Sequence, residues 1–217
     1  MSQVSIAIVN YQAGNLRSVQ KALEQCGARA LITNSERDIE VADALVFPGQ
    51  GASDSSMVDL RENNLIEPIV KYIGNGKPFL GVCLALQLLL EESEEGQEPG
   101  LGIISGRVRK LPDGVKVPHI GWNKVKIHTT HPVLSDIPSE SYFYFLHSYY
   151  AEPEDQSLVA ATTHYGIEFC SVVAWDNVIA TQFHPEKSGR IGLKIYQNFV
   201  ELVEKTRTVG TWKSSQL

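Results

Sequence analysis

The sequence is short of cysteine. Cys26, Cys83 and Cys170 are the three in 217 residues; an odd, widely spaced set argues against a disulfide scaffold or a cysteine-rich zinc site and leaves at least one free thiol. Positive charge is not in excess either. With 19 Lys and Arg against 25 Asp and Glu the formal charge is −6, which gives no electrostatic footprint for a polyanion, so no nucleic-acid partner is expected. No stretch approaches the roughly 18 apolar residues of a membrane span, and the longest run, at residues 84–90, is interrupted by Gln87. The opening Met-Ser-Gln lacks the basic region and small-residue cleavage site of a signal peptide. A soluble, cytoplasmic protein without membrane attachment is expected. Internal repeats, low-complexity tracts and linkers are also missing.

What remains is ordinary globular composition, 43% hydrophobic and 20% charged, in a length that suits one large domain. That domain is expected over residues 1–206, with a loosely held tail at 207–217. Residues 4–9 form an apolar run ending at Asn10-Tyr11-Gln12-Ala13-Gly14-Asn15, after which Leu16, Val19, Leu23 and Cys26 recur at helical spacing until Gly27. Residues 30–33 read as the next strand. Leu45-Val46-Phe47 then runs into Pro48-Gly49-Gln50-Gly51, the pattern of a buried parallel strand feeding a glycine-rich loop. Leu65, Ile69, Tyr72 and Ile73 mark a helix closed by Gly74 and Gly76. Residues 78–82 read as a strand running into Cys83, and 84–92 as a helix. The second half is rich in aromatic and β-branched runs, at 121–127, 142–150, 157–163, 171–175 and 178–183, several of them expected as antiparallel additions to the sheet. A last helix spans 190–205. The fold expected is doubly wound α/β, flavodoxin-like, with a mixed, mostly parallel sheet and flanking helices.

Gly81-Val82-Cys83-Leu84-Ala85 has the form of a nucleophile elbow, where a sharp turn between strand and helix holds the nucleophile in a strained conformation over a helix N-terminus. A lone cysteine is more often a small buried hydrophobe. Gln182-Phe183-His184-Pro185-Glu186 supplies what such a thiol needs, because an imidazole can take its proton and a carboxylate can orient the ring. Both segments follow apolar strands, so they are expected at the C-terminal edge of the sheet, where active sites of open α/β folds gather. In the loop at 48–51, glycines allow backbone N–H groups to face a developing oxyanion. The turn from Asn10 to Leu16 falls short of a dinucleotide fingerprint with its single Gly14. His128 and His131 lack a third ligand, so no metal is expected there.

On these motifs the sequence resembles the class I, triad-type glutamine amidotransferases. It is similar in particular to the glutaminase subunits of imidazole glycerol phosphate synthase, through Asn10-Tyr11 with Gly14-Asn15, Gln87 four positions after the cysteine, Val117-Pro118-His119-Ile120-Gly121-Trp122-Asn123, Leu146-His147-Ser148-Tyr149-Tyr150 and His184-Pro185-Glu186-Lys187-Ser188. The resemblance implies that Cys83 attacks the glutamine carboxamide, His184 shuttles the proton and Glu186 orients His184. It implies that Gly49, Gln50, Gly51, Gln87, Glu95, His147, Ser148 and Tyr149 bind L-glutamine, that Asn15, Trp122 and Lys187 face a (β/α)₈-barrel cyclase subunit in a heterodimer, and that no cofactor is needed. Ala85 and Gln50 depart from the family's usual glycine and small apolar residue. A glutaminase serving another acceptor and an idle regulatory protein are the other readings; the first has no reason for the Pro-His-Ile-Gly-Trp-Asn segment, and the second is opposed by the intact Cys83, His184 and Glu186.

Overall fold

The computed structural model describes residues 3–11 and 15–209. In chain order the elements are β1 (Ser5–Val9), α1 (Leu16–Gln25), β2 (Arg29–Thr33), α2 (Glu36–Val41), β3 (Ala44–Gly49), α3 (Ser53–Glu62), α4 (Ile66–Gly74), β4 (Phe79–Cys83), α5 (Leu84–Leu88), β5 (Glu92–Ser93), β6 (Gly106–Lys110), β7 (His119–Ile127), β8 (Ser141–His147), β9 (Tyr149–Pro153), β10 (Val159–Tyr165), β11 (Ile167–Trp175), β12 (Val178–Thr181) and α6 (Gly189–Val209). The sheet runs β2-β1-β3-β4-β12-β11-β10-β7-β8. From β2 to β12 every neighbour is parallel, and from β12 to β8 every neighbour is antiparallel. The sheet is therefore mixed, as the sequence suggests, with its parallel half larger in expectation than in fact.

Inside the edge strand β2, the strands of the parallel half are apolar on both sides because both sides are covered. Ile6 and Ile8 of β1 pack with Val19 and Leu23 of α1 and with Ile195, Tyr196 and Phe199 of α6. Their neighbours Ala7 and Val9 face the other way, towards Ile39 of α2, Met57 and Leu60 of α3, and Ile69 and Tyr72 of α4. The two-residue alternation of a strand thus distributes one sequence between two cores. Among the described residues, no helix is long and apolar enough to cross a membrane.

Several expectations shift in detail. The helix read over 84–92 stops at Leu88, because the carbonyls of Leu88, Leu89 and Leu90 accept from the amides of Leu101, Ile103 and Gly102 at 2.8, 2.9 and 3.2 Å rather than continuing a helical ladder. The aromatic run at 142–150 divides into β8 and β9, which pair with different strands. The boundary at 206 falls inside α6, which continues to Val209; the rest of the expected tail, 210–217, lies outside the described residues, as do residues 12–14 of the first turn.

β4 is the central strand that matters most, flanked by β3 and β12 in parallel register with Gly81 opposite Phe47 and Ala180. A Cβ on Gly81 would lie 2.9 Å from the Ala180 methyl and 3.3 Å from the Phe79 ring, so the absence of a side chain is what lets the two strands close here. Gly81→Ala is expected to destabilise the chain by about 1–3 kcal/mol through overpacking. The melting temperature should then fall by roughly 2–4 °C for each kcal/mol at this chain length. An unchanged thermal melt followed by circular dichroism would show that the strands have slack.

Candidate active site

Cys83 ends β4 and precedes α5 with φ 57° and ψ −107°. A side chain in this left-handed region is strained by about 1–3 kcal/mol and persists only where its surroundings over-determine it. Here they do. Gly49, at the end of β3, pairs with Cys83, and a Cβ on it would come within 2.8 Å of the Ala85 amide and the Leu84 Cβ and 2.9 Å of the Tyr11 hydroxyl. Ala85 is fully buried, and its methyl sits 3.5 Å from where a Gly81 Cβ would be, an ordinary contact, so the departure from glycine at this position is absorbed by packing. The thiol lies 3.7 Å from both the Leu146 carbonyl and the Gln182 side-chain amide. The helix that follows is a short one, so the orphan amides of its first turn are what it offers the site.

Beyond β12 the chain passes through buried Gln182 and Phe183 to His184, which is 1% exposed. The loop is stapled to β8: the His184 amide donates to the Tyr144 carbonyl at 2.9 Å, the Ser188 hydroxyl donates to the His184 carbonyl at 2.7 Å, and the Tyr144 amide donates to that hydroxyl at 3.0 Å. His184 Nδ1 donates to Glu186 Oε1 at 2.9 Å. The opposite nitrogen, Nε2, is buried without a hydrogen-bond partner. Burial by itself would push the imidazole pKa down; the neighbouring Cys83, and then the Glu186 carboxylate, outweigh it and push it up. Cys83 is the largest of the influences that raise it, and Nε2 still makes no hydrogen bond; catalytic hydrogen bonds are often long before substrate enters. The three cysteines are all free.

Glu186 is held in turn. Burial would raise its pKa, but His184 and the Asn15 amide overcome this and keep it below the usual carboxylate range. Asn15 Nδ2 donates to Oε1 at 2.6 Å, and the Tyr196 hydroxyl of α6 reaches Oε2 at 3.4 Å. Asn15 stands in the left-handed conformation at the start of α1 and makes no side-chain cap there, since its amide is spent on the carboxylate. Asn15, one of the residues expected to face the cyclase subunit, is half-buried, and its side-chain amide reaches the third member of the constellation.

A cavity of about 400 Å³ opens over the thiol, within the range of small-molecule sites. Cys83, His184 and, of the residues expected to bind substrate, Gln50, Gly51, Gln87, Glu95, His147, Ser148 and Tyr149 line it. Gly49 does not; it lies under the elbow. Gly51 has φ 106°, which a side chain would strain. Glu95 Oε2 accepts from the Ser53 amide at 2.8 Å, serving as a cap for α3 whose own cap residue, Ala52, has none, and burial raises its pKa despite that bond. Gln87 Nε2 donates to the Tyr149 carbonyl at 2.6 Å and to Gln182 at 3.1 Å. Trp122 is 56% exposed beside Tyr144, and the Lys187 ammonium lies 5.9 Å from the centre of the same Tyr144 ring. His128 and His131 stand apart, bonded to the Thr162 hydroxyl and the Asp176 carbonyl, and among the described residues no group of three or more His, Cys, Asp or Glu converges on a metal position.

Sequence reasoning missed Gln182 and Pro118 as neighbours of the cavity, Ser188 as the staple of the histidine loop, and Asn15 as the support of Glu186. All four sit in segments already singled out, Gln182 in the strand-end pentapeptide and the other three in segments that carry the resemblance.

A family model described as glutamine amidotransferase class-I matches residues 7–202. The imidazole glycerol phosphate synthase subunit HisH of Dehalococcoides mccartyi is 46% identical over 198 residues, covering 91% of this chain and 97% of that protein. The subunit of the same name from Thermosynechococcus vestitus is 48% identical, covering 94% and 100%. Among solved structures, a putative GMP synthase subunit from Thermoplasma acidophilum superposes with a TM-score of 0.72 at 22% identity, covering 97% of this chain and 98% of that one. The glutaminase domain of Trypanosoma brucei CTPS with bound acivicin gives 0.65 at 20%, covering 99% and 98%. These last two speak for the fold.

Of the three cysteines, Cys83 is the one that lines the cavity. Cys170 is buried with its pKa pushed up to about 12, and burial raises that of Cys26 as well. Iodoacetamide at pH 7 should modify Cys83 first, and His184→Ala should slow that modification by about 10²-fold, the lower end of what a positioned base contributes. Mass spectrometry of a time course checks both; equal rates in the two proteins would take the base away from His184.

Proposed function

The chain belongs to the class I glutamine amidotransferase family and, within it, to the HisH subunits of imidazole glycerol phosphate synthase; on that premise we propose that Cys83, His184 and Glu186 carry out its glutaminase reaction through a glutamyl thioester. Its activity is that of the glutaminase subunit in histidine biosynthesis. The observation that supports the residue assignment most strongly is the conjunction of a strained, buried thiol with a histidine whose Nδ1 is tied to Glu186 and whose Nε2 is left free of any other partner.

In this reading glutamine enters the cavity with its carboxamide over Cys83. His184 Nε2 takes the thiol proton, and the thiolate attacks the carboxamide carbon to give a tetrahedral intermediate. The oxyanion is met by backbone amides, that of Leu84 at the start of α5 and those of the 48–51 loop, each worth about 10²–10³ in rate where it is well aimed. The imidazolium then protonates the departing nitrogen, which leaves as ammonia. Water attacks the thioester, giving its proton to His184, and the proton returns to the cysteine as glutamate is released. Glu186 stays ionised throughout and stabilises the imidazolium, with Asn15 fixing the carboxylate. Gln87, Glu95, His147, Ser148 and Tyr149 hold the amino-acid end of the substrate.

Ammonia is handed to a cyclase partner of (β/α)₈ form, which closes the imidazole ring to imidazole glycerol phosphate and releases the aminoimidazole carboxamide ribonucleotide. The face with exposed Ile120, Trp122 and Tyr142 and the neighbouring Lys187 is where that partner docks, since it combines a contiguous apolar patch with a cation beside the histidine loop.

Replacing Cys83 by Ser leaves the volume nearly unchanged and removes the readily ionised nucleophile. Glutamate release should fall by about 10³-fold or more, while the assembled synthase supplied with ammonium salt should still form imidazole glycerol phosphate. A variant that kept more than about a tenth of the glutaminase rate would contradict the role of Cys83.

A further inference from the structure

Two histidines on neighbouring strands begin a polar chain that leads away from the substrate cavity. His119 of β7 lies directly across from His147 of β8, and they are 3% and 6% exposed. The Tyr149 carbonyl can only accept, so His147 Nδ1, 2.9 Å away, carries a proton. In a neutral ring Nε2 is then an acceptor, and His119 Nδ1 at 3.0 Å must be its donor. The same logic makes His119 Nε2 an acceptor, facing Asn123 Nδ2 at 3.3 Å. Asn123 is oriented independently: Nδ2 also donates to the His164 carbonyl at 3.0 Å, and Oδ1 accepts from the Lys124 amide at 2.8 Å. Every donor meets an acceptor in one arrangement alone, with both rings neutral and both protonated on Nδ1. Burial favours the neutral rings, pushing His147 down to about 3 and His119 down to about 4. The His119 ring is clamped as well, stacked on Tyr165 at 3.9 Å and Phe145 at 4.9 Å.

One end of this chain is the cavity wall. The Tyr149 carbonyl accepts from Gln87 as well as from His147, so two donors fix it. The other end lies on β7, where His119 and Asn123 alternate with exposed Ile120 and Trp122. We propose that Asn123 and His119 are positioning residues, a relay of fixed hydrogen-bond polarity that sets the cavity wall at His147 and Tyr149 relative to the docking strand and thereby sets the affinity for glutamine. The proposal rests on the glutaminase reading for its substrate and extends it to residues outside the catalytic set. Neither residue touches a reacting atom, so their loss belongs in KM.

The test has two arms, both on the full chain. Nitrogen-15 NMR at pH 7 should find His119 and His147 as neutral Nδ1–H tautomers. Steady-state glutamate release, measured with the cyclase partner present, should show KM for glutamine raised about 10-fold in His119→Phe, the scale of one lost hydrogen bond, with kcat changed less than about 3-fold. Phenylalanine keeps the stack between Phe145 and Tyr165, and His119→Gln, which offers an amide donor, should recover part of the KM. An Nε2–H or charged ring at either histidine, a wild-type KM in His119→Phe, or a loss carried by kcat overturns the relay. If the phenylalanine variant does not fold, the tautomers decide. A wild-type chain that fails to hydrolyse glutamine would sink the glutaminase reading instead, leaving the tautomers to judge the relay.

Discussion

The left-handed backbone of Cys83 is the constraint on which the rest of the site depends. A cysteine does not adopt φ 57° unless its neighbours leave it no alternative. Those neighbours are two parallel strands drawn close by what they lack: Gly81 beside Ala180, and Gly49 against the Leu84 side chain and the Ala85 amide. The elbow is therefore a property of three strands and the helix that follows. It aims the thiol into the cavity and leaves the first amides of α5 without helical partners, where a developing negative charge can use them.

Around this fixed point the charges are arranged as a series of supports, each contributed by a different part of the chain. Asn15 at the start of α1 and Tyr196 on α6 hold Glu186; Glu186 holds His184; Ser188 and Tyr144 tie the loop that carries both to β8. A buried carboxylate and a buried imidazole would each be expelled by desolvation alone. Tied together at 2.9 Å, the two stabilise one another instead. The helices on one face of the sheet thus serve the chemistry as well as the core, since α1 and α6 pack against β1 and also reach the carboxylate.

The elbow and the histidine loop were legible in the sequence because each is contiguous: an apolar strand, then the reactive residue, then a turn. What was not legible is what comes together across the sheet. Asn15 lies 171 residues from Glu186, and no local pattern marks its amide as a carboxylate support rather than a helix cap. The polar helix α3 was missed because its apolar spacing is weak and its cap, Glu95, comes from a distant loop. The over-long reading of α5 has the opposite cause, since Leu89 and Leu90 are apolar but are buried by the returning segment at 101–103 rather than by helix packing. His119 had a signal that was not used: alternation along β7 puts it on the same inward face as Val125, opposite the exposed Ile120 and Trp122.

The central claim is that a single thiol, aimed into the cavity and activated by His184, attacks the carboxamide carbon of glutamine. A glutamine analogue bearing an electrophilic carbon at that position reports on it directly, because the analogue must bind as the substrate does before it can alkylate. Peptide mapping after incubation should find one adduct, on Cys83, with excess glutamine protecting against it and His184→Ala forming it at least about 10²-fold more slowly. Adducts spread over Cys26 and Cys170, or labelling of Cys83 that glutamine does not slow, would contradict the account.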